Sequence, residues 1–138
     1  MWKLVFLLVT AVWAGAQGFP GDHLSRFRQV QHLSLPQWDQ VLADTAQARA
    51  EAMAVEGLMS HNDASGRGVG LQLRSQGYPQ GVFGEVLGSG AEPTAVWSAW
   101  LASLTHRQVL AEPGWLRWGA GSARVGGTTV WVLRFWKP

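Results

Sequence analysis

The sequence predicts an α+β domain in which helices come first and antiparallel strands last. Apolar and alanine residues recur at helical spacing over residues 38–58. β-Forming residues dominate two later segments, 115–121 and 128–136, and a Gly-Gly pair separates them as in a hairpin. Helical and strand patterns in separate parts of one chain are typical of a layered α+β domain.

Local signals place the other elements of the first half. A turn or two of helix is expected over 24–30, and Pro36 interrupts it. Gly57 is expected to end the long helix because glycine favours the conformation that follows a last helical turn. A short helix over 71–76 should close at Gly77.

The second half begins with a short apolar run over 82–87, which is strand-like and carries one carboxylate, Glu85. That side chain either faces water at a sheet edge or is turned inward, where it needs a partner because burying an unpaired charge is costly. Pro93 suits the first turn of another helix. The apolar stripe predicted for that helix consists of Val96, Trp97, Trp100, Leu101 and Leu104.

The first sixteen residues have the layout of a secretory signal peptide. Lys3 precedes an uncharged apolar run over 4–13, and small residues at 14–16 fit a cleavage site before Gln17. The run is shorter than the roughly 20 residues of a membrane-spanning helix. We therefore expect a signal peptide over 1–16 and one domain over 17–138, with an uncleaved signal anchor as the alternative.

Composition excludes several classes of protein. The chain of 138 residues has no cysteine, which rules out thiolate metal sites, cysteine proteases and a disulfide scaffold. An exported domain without disulfides fits a bacterial envelope better than a eukaryotic secreted protein. The formal net charge of +2 and the scattered arginines offer no nucleic-acid footprint. The seven tryptophans that follow the predicted signal peptide are expected in the core, with a carbohydrate-binding platform as the alternative.

Three polar residues stand out: His61 and His106 each follow a predicted helix, and Glu85 lies inside the strand-like run. Together with their neighbours they resemble the CAP superfamily (the SCP domain), which includes cysteine-rich secretory proteins, venom antigens and pathogenesis-related proteins. The resemblance is to the bacterial, cysteine-free branch and covers nearly the whole chain from about residue 24. It is carried by Trp38-Asp39, the helix positions Leu42, Ala46, Ala50 and Met53, then His61, Gly77-Tyr78, Gly84-Glu85, Trp100, Ser103, His106-Arg107, Gly119, Gly121 and Trp131.

Four residues at three places in the chain depart from the family pattern. Val86 replaces the usual Asn after the glutamate, Leu104-Thr105 replaces Pro-Gly before the second histidine, and Gln72 stands where many bacterial members carry Arg. The surroundings of the site therefore differ from those of the family, and the identity of a relative's ligand is not carried over.

The resemblance implies a three-layer α-β-α sandwich with a small antiparallel sheet and a cleft lined by His61, Glu85 and His106. Asp63 is a fourth candidate, matched only by its proximity to His61. Some family members bind a divalent cation in this cleft, and some bind sterols or other lipids elsewhere on the domain. The resemblance thus implies a divalent cation such as zinc or magnesium as cofactor, with His61, His106 and Glu85 as its ligands.

Three interpretations of this cluster remain open. Two imidazoles and a carboxylate are able to form a three-ligand metal site with an open position. They are equally able to line a metal-free polar cleft for another ligand. In a purely structural cluster, Glu85 would orient both imidazoles through hydrogen bonds.

We therefore expect a secreted, periplasmic or cell-envelope protein, monomeric, without a transmembrane segment after signal cleavage, that binds a small ligand, a lipid or an envelope component. A binding or interaction module is expected rather than an enzyme. The alternative is a metal-dependent, peptidase-like hydrolase of a peptide or envelope polymer, with Glu85 as ligand or general base. An envelope scaffold with a vestigial site is a third possibility.

Overall fold

A computed structural model describes residues 18–138, which contain five helices and four strands. The helices are α1 (Gly21–Val30), α2 (Gln40–Glu56), α3 (Val69–Ser75), α4 (Pro93–Ala102) and α5 (Leu104–Leu110). The strands are β1 (Gln37–Trp38), β2 (Val82–Gly90), β3 (Arg117–Val125) and β4 (Thr128–Lys137). The predicted signal peptide and its cleavage site before Gln17 lie outside the described residues.

The strands form one sheet in the order β1-β3-β4-β2. β4 pairs antiparallel with both β2 and β3, and the predicted Gly-Gly turn joins β3 to β4 with Gly126 at a φ of +59°. The two-residue strand β1 pairs parallel with β3. The predicted antiparallel sheet is therefore confirmed for three strands, and a short parallel strand extends it.

Helices cover both faces of the sheet, so the predicted three-layer α-β-α sandwich is confirmed. α1, α4 and α5 pack against one face, and α2 and α3 pack against the other. Since side chains along a strand alternate between faces, the two layers receive different residues of β4: Leu133 and Phe135 on one side, Val132 and Arg134 on the other.

The layer of α1, α4 and α5 holds most of the buried aromatic residues, and we call this side of the sheet the aromatic face. Its core consists of Leu24, Val86, Val96, Trp97, Trp100, Leu110, Trp115, Trp118, Leu133 and Phe135. The indole Nε1 of Trp100 donates a hydrogen bond to the carbonyl of Leu87 over 2.9 Å, so its polar edge is satisfied inside the core. These buried tryptophans form core, as the sequence predicts.

Arg28 is the buried cation of the aromatic face. It donates to the carbonyl oxygens of Ser34, Leu110 and Glu112 over 2.8–3.0 Å. Leu110 is the last residue of α5, where backbone carbonyls lack partners within the helix. Arg28 therefore links α1 to the end of α5.

On the other side, α2 lies directly against the backbone of β3. A Cβ atom at Gly119 or Gly121 would come within 2.3 Å of the backbone nitrogen of Ala43 or Gln47. Only glycine leaves room for the helix at this distance. The Gly-x-Gly pattern of the sequence thus sets the spacing between helix and sheet.

The ends of α2 follow from its sequence. The Asp39 carboxylate accepts a hydrogen bond from the backbone N–H of Leu42 over 3.0 Å, which caps the first turn. Gly57 adopts a left-handed conformation with φ of +70° and closes the last turn. The prediction that Gly57 ends this helix is confirmed, and the loop carrying His61 begins there.

The predicted apolar stripe is interrupted where α4 ends. Ser103 adopts an extended conformation between α4 and α5, so the chain changes direction before Leu104. Leu104, expected to be buried, is 60% exposed, and His106 lies within α5 instead of after a helix. None of the helices among residues 18–138 combines the length and apolar character that a membrane crossing requires.

Candidate functional site

Glu85 lies at the centre of a buried polar cluster on the α2 side of the sheet. It is directly opposite Arg134 in the pairing of β2 with β4. Its Oε2 accepts a hydrogen bond from Nε of Arg134 over 2.8 Å, and the two side chains are 2% and 1% exposed. The sequence left two environments open for the Glu85 side chain, exposed at a sheet edge or turned inward beside a partner. The structure shows the second.

The second carboxylate oxygen of Glu85 holds His61. Oε1 accepts from Nδ1 of His61 over 2.8 Å. Since Nδ1 faces Glu85, Nε2 is the ring nitrogen left for solvent or a ligand, and the His61 side chain is 60% exposed. His61 is therefore fixed on one edge and open on the other.

Arg134 and Gln72 extend the cluster to the loop that carries His61. Arg134 donates through Nη2 to the Gln72 side-chain oxygen. Gln72 in turn donates through Nε2 to the carbonyls of Arg67 and His61 over 2.7 and 3.3 Å. Arg49 of α2 secures the same loop by donating to the carbonyls of Ser60 and Asn62. The loop is thus bonded to both the sheet and α2.

His106 approaches from the other layer. Its Nδ1 lies 2.7 Å from the hydroxyl oxygen of Ser103, the residue that separates α4 from α5. Ser103 therefore connects the junction of α4 and α5 to the His106 ring. Glu85 bonds to His61 and Arg134, so the structural alternative in which Glu85 orients both imidazoles does not describe this arrangement.

The two imidazoles have opposite electrostatic environments. The hydrogen bond to Glu85 raises the pKa of His61, an effect that burial and the charge of Arg49 partly oppose. Burial lowers the pKa of His106, and the positive charge of His61 lowers it further. The two side chains are therefore close enough for the charge of one to act on the other.

Asp63 does not join this cluster. Its Oδ1 accepts from the backbone N–H groups of Ser65 and Arg67 and from the Ser65 hydroxyl. These hydrogen bonds lower the pKa of Asp63 to about 2. Asp63 thus organises its own turn, and its proximity to His61 in sequence does not bring its carboxylate to the Glu85 cluster.

The residues present fit a metal ion poorly in this arrangement. Both oxygens of Glu85 are used by His61 and Arg134, and one nitrogen of each imidazole is already bonded. Across residues 18–138 there is no group of three or more His, Asp or Glu side chains placed to hold one ion. Cation binding by His61, His106 and Glu85 remains a prediction.

Sequence reasoning missed Arg49 and Arg134 and did not assign Gln72 a role in the site. One signal was available for Arg134. Glu85 and Arg134 each interrupt an otherwise apolar strand, and opposite charges in two such strands suit a cross-strand pair. For Arg49, which lies on α2, no local pattern indicated what it would bind.

Comparisons with known proteins agree with the fold described above. The sequence profile of the cysteine-rich secretory protein family (CAP) matches residues 22–135. A search of curated protein sequences found no match.

Among solved structures, an outer surface protein of Borrelia burgdorferi is similar with a TM-score of 0.74 at 23% identity, over 84% of this chain and 87% of that one. An extracellular SCP-domain protein of Bacillus anthracis has a TM-score of 0.69 at 23% identity, over 81% of this chain but 37% of that one. A cysteine-rich secretory protein of Staphylococcus aureus has a TM-score of 0.66 at 14% identity, over 85% of this chain and 37% of that one.

These likenesses show a shared fold, and the profile covers most of the chain, including His61, Glu85 and His106. The protein is a member of the CAP (cysteine-rich secretory protein) family.

Proposed function

We propose that this CAP protein is an exported binding module whose cleft presents His61 and His106 to a ligand, with Glu85 holding His61 in place. The observation that carries the proposal is the geometry of His61, whose Nδ1 is bonded to Glu85 over 2.8 Å while its side chain is 60% exposed. The opposite bias of the two imidazoles agrees with it, since the pKa of His61 is raised and that of His106 is lowered. Paired titratable groups whose pKa values are pushed apart are typical of functional sites.

This bias determines what the cleft offers. Protonated His61 donates a hydrogen bond through Nε2, while Nδ1 remains bonded to Glu85. When the Nδ1–H of neutral His106 donates to Ser103, its Nε2 is an acceptor. A ligand group with an acceptor beside a donor matches such a pair, and amides and hydroxyls of peptides or envelope polymers have that chemistry.

Binding is favoured over catalysis by the position of Glu85. A general base must reach the proton that it abstracts, within hydrogen-bonding distance or through one water. Both oxygens of Glu85 are occupied by protein donors and its side chain is 2% exposed, so it acts as a fixed counter-charge for His61. The metal-dependent hydrolase has no support from the residues described.

Export is supported by two independent observations. The first sixteen residues have the pattern of a signal peptide. The structurally similar proteins of Borrelia burgdorferi and Bacillus anthracis are described as an outer surface protein and an extracellular protein. A bacterial envelope or medium is the corresponding place for this chain.

The test combines export with ligand capture. The full chain is expressed in a bacterial host, recovered from periplasm and medium, and its bound small molecules are compared by mass spectrometry. His61→Ala and His106→Ala are compared with His32→Asn, which removes an exposed imidazole far from the cluster in sequence. Asparagine is chosen because His32 has a φ of +57°, which Asn tolerates.

We expect cleavage before Gln17 and a bound species that is retained by His32→Asn and lost from both cleft variants. An intracellular, uncleaved product contradicts export. A bound species, or a lipid, retained equally by all variants contradicts a ligand site at the two histidines.

A further inference from the structure

A cavity lies between α2 and α3, beside the loop that carries His61. Its volume is about 180 Å³, smaller than the roughly 300–1,000 Å³ typical of sites for drug-sized ligands. Three arginines line it, Arg49, Arg67 and Arg134, and Gln72 and Asp63 also contribute. We call this cavity the arginine groove.

Arg49 is the unusual member of the groove. The residue is 6% exposed, yet its Nε has no hydrogen-bond acceptor within residues 18–138. Its Nη2 donates to the carbonyls of Ser60 and Asn62, which are neutral. Among the ion pairs of that same part of the chain, none involves Arg49. A buried guanidinium is normally paired with a carboxylate or another anion.

The nearby carboxylates are already committed. Glu85 is bonded to Arg134 and His61. Asp63 lines the groove, but Oδ1 accepts three hydrogen bonds within its own turn and Oδ2 accepts from Nε of Arg67 over 3.3 Å. Three guanidiniums are therefore balanced by two carboxylates, and positive charge is left over.

The charge of Arg49 also influences the pKa values of two neighbouring groups, Arg134 and His61. Burial lowers the pKa of Arg134, and the negative charge of Glu85 opposes this shift. The positive charge of Arg49 adds to the lowering. The same charge of Arg49 opposes protonation of His61. An anion in the groove would relieve both interactions, because it would offset the charge of Arg49.

We propose that the arginine groove is a binding site for a small oxyanion of the phosphate or carboxylate type, held by Arg49 and Arg67 above Arg134. Guanidinium groups bind both anions through paired N–H donors. The site is separate from the cleft ligand of the proposed function and does not depend on it.

The test is a titration of the purified full-length protein with inorganic phosphate, and separately with acetate, followed by ¹H–¹⁵N NMR at constant ionic strength set by chloride. We expect saturable shifts in residues 60–76. Arg67→Gln should weaken phosphate binding about tenfold, since it removes one charged hydrogen-bond donor. Saturable binding of phosphate or of acetate supports the site. Tighter binding of phosphate than of acetate would identify a doubly charged anion as the preferred ligand.

Arg74→Gln is the matched control, because it removes an exposed positive charge from α3, seven residues away from Arg67 in sequence, at a position that does not line the groove. It should leave binding unchanged. As a second readout, phosphate should raise the pKa of His61 in the parent protein. Shifts that do not saturate, that chloride reproduces, or that Arg74→Gln weakens as much as Arg67→Gln overturn the proposal. Arg49→Gln tests the buried arginine of the groove directly and should also weaken phosphate binding. If Arg49→Gln does not fold, Arg67→Gln still tests the proposal.

Discussion

The two faces of the sheet bury arginine in different ways. On the aromatic face, Arg28 donates to three backbone carbonyls and connects two helices. On the α2 face, Arg134 donates to the side chains of Glu85 and Gln72, and these contact the loop of His61. The first arrangement uses buried charge to join elements, whereas the second uses it to position an exposed imidazole. A buried charged group in this domain therefore indicates a site only where its hydrogen bonds connect it to an exposed side chain.

The largest expected effect comes from breaking the buried ion pair of the α2 face. Arg134→Met leaves Glu85 without its charged partner, and we expect the free energy of unfolding to fall by about 3–5 kcal/mol. Chemical denaturation measures the change. Arg124→Met, at an exposed position of β3, should change stability by no more than about 0.5 kcal/mol.

The double variant Glu85→Leu, Arg134→Met sharpens this result. With both charges replaced by apolar groups, much of the lost stability should return. If the single variant Arg134→Met loses less than about 1 kcal/mol, the pair does not have the buried character described here.

A smaller loss is expected on the aromatic face. Trp100→Phe removes the donor to the Leu87 carbonyl and some packing, so the free energy of unfolding should fall by about 1–3 kcal/mol. Trp131→Phe, at a partly buried indole of the same core, is the control and should cost less. The pKa of His61, followed by NMR, should be unchanged in Trp100→Phe; a shift would mean that the two faces are coupled.

The histidines predict opposite pH dependences of stability. The folded-state pKa of His61 lies above its unfolded value of about 6.5, so its contribution is complete below that pH and is lost as the pH rises through the folded-state pKa. The folded-state pKa of His106 is lowered, so the folded state loses stability as the pH falls below about 6.5 and this imidazole must be charged.

Differences between variant and parent isolate these two effects. Glu85→Gln should remove the loss of stability above pH 6.5 because it lowers the pKa of His61, and His106→Asn should reduce the loss below it. Denaturation midpoints across pH 5–9 give the comparison. Parallel pH profiles for parent and Glu85→Gln would falsify the assignment for His61.

The smallest effect is expected from metal. Because Glu85 is occupied by Arg134 and His61, treatment with EDTA should leave the Tm of the protein unchanged within roughly 1 °C. Thermal unfolding with added zinc or magnesium is the measurement. Stabilisation by zinc that is lost in both His61→Ala and His106→Ala would instead support the predicted metal site.

Local signals were sufficient for much of the fold. The alanine-rich period and Gly57 predict α2 and its end, and the Gly-Gly pair predicts the β3–β4 hairpin, because each depends on neighbouring residues. The break at Ser103 has no proline or glycine to mark it, so the apolar pattern led to a buried Leu104 that the structure exposes.

The site was less accessible to sequence reasoning. His61, Glu85 and His106 were identified by family resemblance, and the contact of His61 with Glu85 joins positions 24 residues apart. The partner of Glu85 on the sheet, Arg134, is a further 49 residues away, a pairing set by strand register and not by any local motif. For Asp63 the reverse holds: it is two residues from His61 in sequence, but its carboxylate is bonded within its own turn.

The glycines beneath α2 also determine which part of the site is free to move. Because Gly119 and Gly121 bring the helix into backbone contact with β3, we expect α2 and the sheet to move together. On this side of the sheet we therefore expect adjustment to a ligand in the segment after Gly57, over residues 58–68. Amide hydrogen exchange should be slowest in α2 and β4 and fastest in that segment, and ligand binding should protect it selectively.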